Sequence, residues 1–121
     1  GGKILLLRRS AKVGTYRRRW AGVSGYLETN DIEQAYTEIR EETELFENDV
    51  KLVRKGEPVE VIDRDLNRKW IVHPFLFHVK DPDKIKIDWE HTEIRWIRPS
   101  EMKRYHTVPG LKEALDRVYK R

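Results

Sequence analysis

Residues 35–45 read AYTEIREETEL, with four glutamates (Glu38, Glu41, Glu42 and Glu44) inside seven positions of a chain whose net charge is +4. At about 100° per residue, Ile32, Ala35, Tyr36, Ile39 and Thr43 fall on one stripe of a helix, and Glu38, Glu41 and Glu42 gather on a neighbouring face. Asn30 followed by Glu33 has the spacing of a capping box, in which an Asn oxygen takes a free amide and a Glu three residues on reaches back. The pattern predicts a helix from about Asp31 to about Leu45 with a core side and an acidic side. Positions i, i+3 and i+4 lie roughly 5–6 Å apart at Cβ, close enough for three carboxylates to converge. Two such charges repel by roughly 3 kcal/mol at an effective dielectric near 20, and a hard, oxygen-seeking ion such as Mg²⁺ would turn that repulsion into coordination. The plain alternative is a solvated acidic face, where each like-charge pair costs only a few tenths of a kcal/mol. Spacing alone leaves both readings open.

Charge order narrows the choice. Residues 1–22 hold seven basic side chains and no acids, residues 23–49 hold nine acids against Arg40 alone, and the remainder, 4 − 7 + 8, is +5. An acidic island flanked by arginine suggests a divalent cation bracketed by phosphate contacts. A basic single-stranded RNA binder is a poorer match, because the island would repel phosphates. Nucleic acid is therefore not the expected partner.

Outside the island the chain alternates strand and helix signals. KILLLRRS (3–10) reads as a buried strand, and a short strand is expected near Trp20 to Tyr26, interrupted by Gly22 and Gly25. VKLVRKGEPVEVIDRD and KWIVHPFLFHVK are rich in β-branched and aromatic residues around DLN, which predicts a hairpin or a pair of sheet strands, with Pro74 marking an edge or a bulge. IKIDW (85–89) and TEIRWI (92–97) read as two more strands. PSEMKRY begins a helical turn, and GLKEALDRVYK places Leu111, Leu115, Val118 and Tyr119 on one helical face. The expected class is mixed α/β (α+β), a sheet sandwiched between helices, as a single domain over residues 1–121.

Composition excludes several chemistries. The 121 residues include no cysteine, which rules out disulfides, thiolate metal sites and cysteine nucleophiles and fits a reducing compartment. The longest apolar run is ILLL, far short of the roughly 20 residues that span a bilayer, and no signal-peptide pattern is visible. A cytoplasmic protein without a membrane partner is the expectation.

GVSGYLETNDIEQAYTEIREETEL resembles the Nudix box, whose pattern is Gly, five residues, Glu, seven residues, then Arg-Glu-apolar-x-Glu-Glu-x-Gly-apolar. Glu38, Ile39, Glu41, Glu42 and Leu45 occupy the Glu, apolar, Glu, Glu and final apolar places. KILLLRRS is similar to the family's first strand, RRRWAGVSGYLE to its approach to the box, and EHTEIRWIRPSEM to the strand and turn after its sheet. Three departures stand out. Thr37 replaces the box arginine and Thr29 its first glutamate, so an ion pair is missing from both sides at once. Three residues rather than five separate Gly25 from Thr29, and Ser24 takes the place of a glycine. Glu44 replaces the last glycine, where a left-handed helix end is easiest for Gly, so the helix is expected to end differently.

The resemblance implies a pyrophosphohydrolase acting on a nucleoside diphosphate linked to another moiety, with Mg²⁺ or Mn²⁺ held by Glu38, Glu41, Glu42 and the carbonyl near Ser24. Glu38 by analogy would deprotonate the attacking water, Glu90 resembles an extra glutamate from outside the box, and Glu93 is its fallback. Metal coordination lowers the pKa of bound water and offsets developing charge. Among the basic residues, Arg8, Arg9 and Arg19 are candidates to clamp the diphosphate, since guanidinium forks match phosphate oxygens, although most surface arginines are simply solvated. Trp20, Tyr16 and Trp70 are candidates to stack on a base, against the commoner role of tryptophan as core or rim. His73 alternates with Phe75, Phe77 and Val79 and reads as a half-buried histidine rather than a ligand, and His78, His91 and His106 show no metal spacing. Two other readings compete: a Nudix-like regulatory domain that binds nucleotide with little turnover, and an isopentenyl diphosphate isomerase, which the missing cysteine excludes. Many relatives are dimers, so a homodimer is open.

Because the partner of the box arginine is also missing, Thr37→Arg alone should leave metal-dependent turnover no higher than in the parent, as a side-by-side rate measurement checks.

Overall fold

KILLLRRS forms the strand around which the other elements are arranged. In a computed structural model of the protein, which describes residues 2–23 and 32–119, the order is β1 Ile4–Arg9, β2 Trp20–Ala21, α1 Ile32–Thr43, β3 Val50–Lys55, β4 Val59–Asp63, β5 Arg68–Val72, β6 Phe75–Val79, β7 His91–Ile97 and α2 Leu111–Val118. Short 3-10 turns occupy Glu47–Asp49, Pro82–Lys84 and Pro99–Arg104. The box residues Ser24, Gly25 and Thr29, the capping residue Asn30 and the expected strand end Tyr26 lie outside the described residues.

Leu6 and Leu7 of β1 are 1% and 0% exposed. Successive strand residues point to opposite faces, so both faces of β1 are covered. β1 pairs antiparallel with β2 on one edge and β7 on the other, in the order β2-β1-β7. A parallel bridge from Trp20 to Thr107 extends the pairing beyond β2, with Trp20 N–H donating to the His106 carbonyl at 2.9 Å and Val108 N–H to the Trp20 carbonyl at 3.0 Å.

Cross-strand partners share a face, and this sorts the two sides. Ile4 with Ile97, Leu6 with Arg95, and Arg8 with Glu93 and Trp20 lie on one side, where Leu6, Trp20, Ile97 and Met102 form a core closed by Leu111 and Leu115 of α2. Leu5 with Trp96, Leu7 with Ile94, and Arg9 with His91 lie on the other. The second core joins Ile39, Leu45 and Val50 to Tyr36, Phe77 and Val79, seating α1 on β3 and β6 with Tyr36 edge-on to Phe77 at 5.2 Å. Strands with α2 on one side and α1 reaching the other match the expected α/β class.

The long β-rich stretch resolves into two nested antiparallel pairs, β4 with β5 inside and β3 with β6 outside. Pro74 is buried between β5 and β6 and its carbonyl accepts the Gly56 N–H at 2.9 Å, so it marks where the ribbon changes from one pairing to the other. IKIDW is not a strand. Its alternating Ile85 and Ile87 are half-buried, but residues 85–88 join no ladder, and Lys86 N–H donates to the Thr43 carbonyl at the end of α1 at 2.9 Å. Alternation records an extended chain over a core and says nothing of what its backbone bonds to.

Nor does α1 end differently from a glycine-terminated helix. Glu44 sits in the left-handed region at φ +59°, with its N–H donating to the Arg40 carbonyl at 2.9 Å, the single bond of an αL cap. Thr43 Oγ1 donates to the Ile39 carbonyl at 2.6 Å and accepts the Leu45 N–H at 3.3 Å, and Leu45 is buried. Packing and this hydroxyl impose a conformation that glutamate resists. Glu44→Gly should therefore raise stability by about 1 kcal/mol, read as a rise of a few degrees in Tm; an unchanged Tm would show the left-handed end carries no strain.

Candidate functional site

Helical spacing gives the three box glutamates unequal surroundings. Glu42 is 8% exposed, Glu38 is half-buried and Glu41 is open to solvent. Gln34 Nε2 donates to Glu38 Oε1 at 2.6 Å, one turn away. Glu42 Oε1 lies 3.7 Å from Nε2 of His91, the first residue of β7. His91 is 6% exposed and is the cross-strand partner of Arg9. Glu42, on the acidic face of α1, thus meets the first residue of β7, whose cross-strand partner is Arg9.

Burial, and then the charge of Arg9, push the His91 pKa below its usual value, with Asp88 opposing. The imidazole facing Glu42 is accordingly neutral near neutral pH, and the contact is a polar one rather than an ion pair. At 3.7 Å it lies just beyond hydrogen-bond length. Glu90 is half-buried beside it; its N–H donates to Asp88 Oδ1 at 3.0 Å and its carbonyl accepts the Ser10 N–H at 2.8 Å, which fixes this turn against the end of β1. His91 was passed over in the sequence because nothing in histidine spacing singles it out. Its importance comes from a tertiary contact 49 residues from Glu42 in sequence.

The arginines separate by strand parity. Arg8 faces the α2 side, where its Nη1 donates to Glu93 Oε2 at 3.0 Å and its Nε to the Arg18 carbonyl at 3.0 Å. Its guanidinium, followed by that of Arg95, holds the Glu93 carboxyl below the usual carboxylate range. Glu93 is thus occupied on the face away from Glu42. Arg9 lies on the Glu42 side with its Nε on the Thr15 carbonyl at 3.0 Å. Trp20 is 8% exposed within the α2-side core, edge-on to Tyr105 at 5.3 Å with the guanidinium carbons of Arg8 and Arg95 at 5.8 and 5.7 Å.

Arg19 lies over the Tyr16 ring at 5.4 Å, and the Tyr16 hydroxyl donates to Asp63 on the β4–β5 hairpin. Burial and that bond raise the Tyr16 pKa to about 12, while the Tyr16 hydrogen bond lowers that of Asp63. Trp70 stands 6.5 Å from Tyr16 between ring centroids. No sequence signal joins Tyr16 to Asp63, which are 47 residues apart.

Among the described residues no three carboxylate or imidazole groups are gathered closely enough to hold a metal ion with the side chains as they stand. The donor set itself suits a hard divalent cation, since it is all carboxylate oxygen and comes from adjacent turns of one helix.

The family model of the NUDIX domain matches residues 1–118. The chain belongs to the Nudix family. As a Nudix-type hydrolase it belongs with enzymes that act on diphosphate bonds, and such hydrolases generally use divalent metals. Solved Nudix structures share its fold. A Caenorhabditis elegans Ap4A hydrolase in a binary complex is 18% identical, with a TM-score of 0.73 over 95% of this chain and 82% of that one. A MutT protein from Methanosarcina mazei is 24% identical, with a TM-score of 0.72 over 96% and 82%. The NUDIX domain of Shewanella oneidensis NrtR complexed with ADP ribose is 11% identical, with a TM-score of 0.62 over 95% and 74%. No curated protein matches the sequence. Among the described residues no helix of this Nudix chain is long and apolar enough to cross a membrane.

A buried core role for Trp20 predicts that Trp20→Ala lowers stability by about 3–5 kcal/mol, measured by urea unfolding; a full-stability variant would return Trp20 to the list of base-stacking candidates.

Proposed function

We propose that this protein is a divalent-metal-dependent pyrophosphohydrolase that cuts a nucleoside diphosphate linked to another moiety. The observation that supports it most is the placement of Glu42, which is buried on α1 and faces β7 next to Arg9, with Glu41 beside it in sequence and Glu38 one turn back. Glu38, Glu41 and Glu42 would hold Mg²⁺ or Mn²⁺. The backbone carbonyl near Ser24, outside the described residues, is a fourth contact that the family resemblance suggests. When bound, the ion lowers the pKa of a water molecule and neutralises charge on the diphosphate.

The chain's own residues do the remainder. Arg9 lies on the same face as Glu42 with Nε and Nη2 bonded to Thr15, so the Nη1 end of its guanidinium would meet a phosphate oxygen, and Arg19, whose carbonyl accepts the Arg9 N–H, would extend that basic edge. Glu90, held by its backbone between Asp88 and Ser10, or Glu38 by family analogy, would take the proton of the attacking water. Arg8 and Trp20 have no part here, since the first is paired with Glu93 and the second is buried in the opposite core. The domain is read as one unit over residues 1–121, working in the cytoplasm.

A regulatory, nucleotide-binding role is the second reading. It draws on the fold shared with the NrtR domain complexed with ADP ribose and on Thr37 in place of the box arginine. Turnover against ADP-ribose, dinucleoside polyphosphates, nucleotide sugars and nucleoside triphosphates, with Mg²⁺ or with chelator, separates the two. Metal-dependent cleavage supports the hydrolase; nucleotide binding by thermal shift without cleavage supports the regulatory domain. Glu41→Gln and Glu42→Gln should each lower metal-dependent turnover by about 100-fold or more, the scale of losing one electrostatic stabiliser, with the circular dichroism spectrum unchanged. Parental rates in both would overturn the site assignment.

A further inference from the structure

The pairing of β1 with β7 contains an irregularity at one end. Arg8 is opposite Glu93 and Arg9 is opposite His91, so one step along β1 corresponds to two along β7. Thr92 is the extra residue, and it is exposed. Such a bulge changes the parity of the strand beyond it.

Without the bulge, His91 would share a side with Glu93 and Arg95, because side chains two apart point the same way. That is the α2 side, where Glu93 binds Arg8 and Arg95. The bulge turns His91 to the α1 side, among Arg9 and Glu42. A buried imidazole with no role would sit better as an apolar residue, since burying a polar ring without its hydrogen bonds is unfavourable. Here Nδ1 is buried and has no hydrogen-bond partner, while Nε2 points at the Glu42 carboxylate 3.7 Å away. A neutral imidazole has one N–H and one lone pair. With a carboxylate before Nε2, the tautomer that carries its proton there is favoured, and the lone pair is left at the unpartnered Nδ1.

We infer that His91 is a positioning residue, aimed by the Thr92 bulge so that its Nε2 edge, in polar contact at 3.7 Å rather than hydrogen-bonded, steers the Glu42 carboxylate as a metal ligand. This rests on the reading of Glu42 given under Proposed function. Groups that orient a ligand from behind typically change metal affinity about 10- to 100-fold when removed. The charges of Arg9 and Asp88 also act on this ring, and the Nε2 edge lies 3.7 Å from Glu42, which makes the geometry testable.

The test is Mn²⁺ affinity of the purified, full chain, measured by electron paramagnetic resonance of free Mn²⁺ in the absence of any substrate. His91→Leu should weaken binding by about 10-fold or more. A glutamine amide nitrogen sits where Nε2 does and an asparagine nitrogen nearer Nδ1, so His91→Gln should restore affinity to within about threefold and His91→Asn should not; a purely space-filling histidine would not distinguish the two. Parental affinity in His91→Leu, or equal affinities in the Gln and Asn variants, would overturn the inference. If His91→Leu fails to fold by circular dichroism, the Gln and Asn pair decides alone. Parental affinity in Glu42→Gln would also overturn it, and would locate the failure in the metal assignment of Glu42 itself.

Discussion

β1 is buried on both faces, and most of the architecture follows from that constraint. Leu6 and Leu7 leave almost no accessible surface, so the strand needs a cover on each side. α2 and the turn that carries Met102 supply one, and on the other side His91, the partner of Arg9, meets Glu42 of α1. The alternation that buries both leucines also sends the next two residues apart. Arg8 turns to the α2 side and is tied to Glu93, whereas Arg9 turns to the side where Glu42 lies. Two adjacent arginines thus have different surroundings because of the pleat, with no difference in their own chemistry.

The acidic face of α1 is held in place by apolar anchors. Ile39 and Leu45 are buried, and Tyr36 packs on Phe77. Each large apolar side chain so buried contributes about 1.5–3 kcal/mol. Repulsion among the glutamates ranges from a few tenths of a kcal/mol per pair in water to roughly 3 kcal/mol at an effective dielectric of 20. The anchors therefore outweigh the repulsion across most of that range, and the helix holds Glu42 against the start of β7. This accounts for part of the acidic island in a basic chain: Glu33, Glu38, Glu41 and Glu42 lie on one helix, and Glu42 faces the side of β1 that carries Arg9.

Much of this was legible in the sequence wherever local pattern and tertiary environment agree. KILLLRRS announced a doubly covered strand because its apolar residues run together rather than alternate. The helix at 32–43 showed in the 3.6-residue spacing of Ile32, Tyr36, Ile39 and Thr43, and the C-terminal helix in Leu111, Leu115 and Val118. IKIDW misled because alternation marks burial of every second side chain and not ladder bonding. Glu44 misled in the opposite direction, since a glutamate can be held left-handed when the residues on either side are fixed. The three glutamates were visible as candidates, but their unequal burial was not, because it depends on which strand α1 meets. His91 and the Tyr16–Asp63 bond were invisible for the same reason: each depends on a contact between residues far apart in the chain, and for His91 also on a one-residue bulge.

The acidic face of α1, with the adjoining ends of β1 and β7, is proposed as a divalent-cation site. The most direct measurement is an Mn²⁺ titration of the ¹⁵N-labelled protein followed by amide line broadening. Resonances of residues 38–42, with those of Arg9, Glu90 and His91, should broaden first, and those of α2 should stay sharp until much higher metal concentration. Broadening that begins at the exposed acids of residues 81–83, or that spreads evenly over the surface, would contradict it.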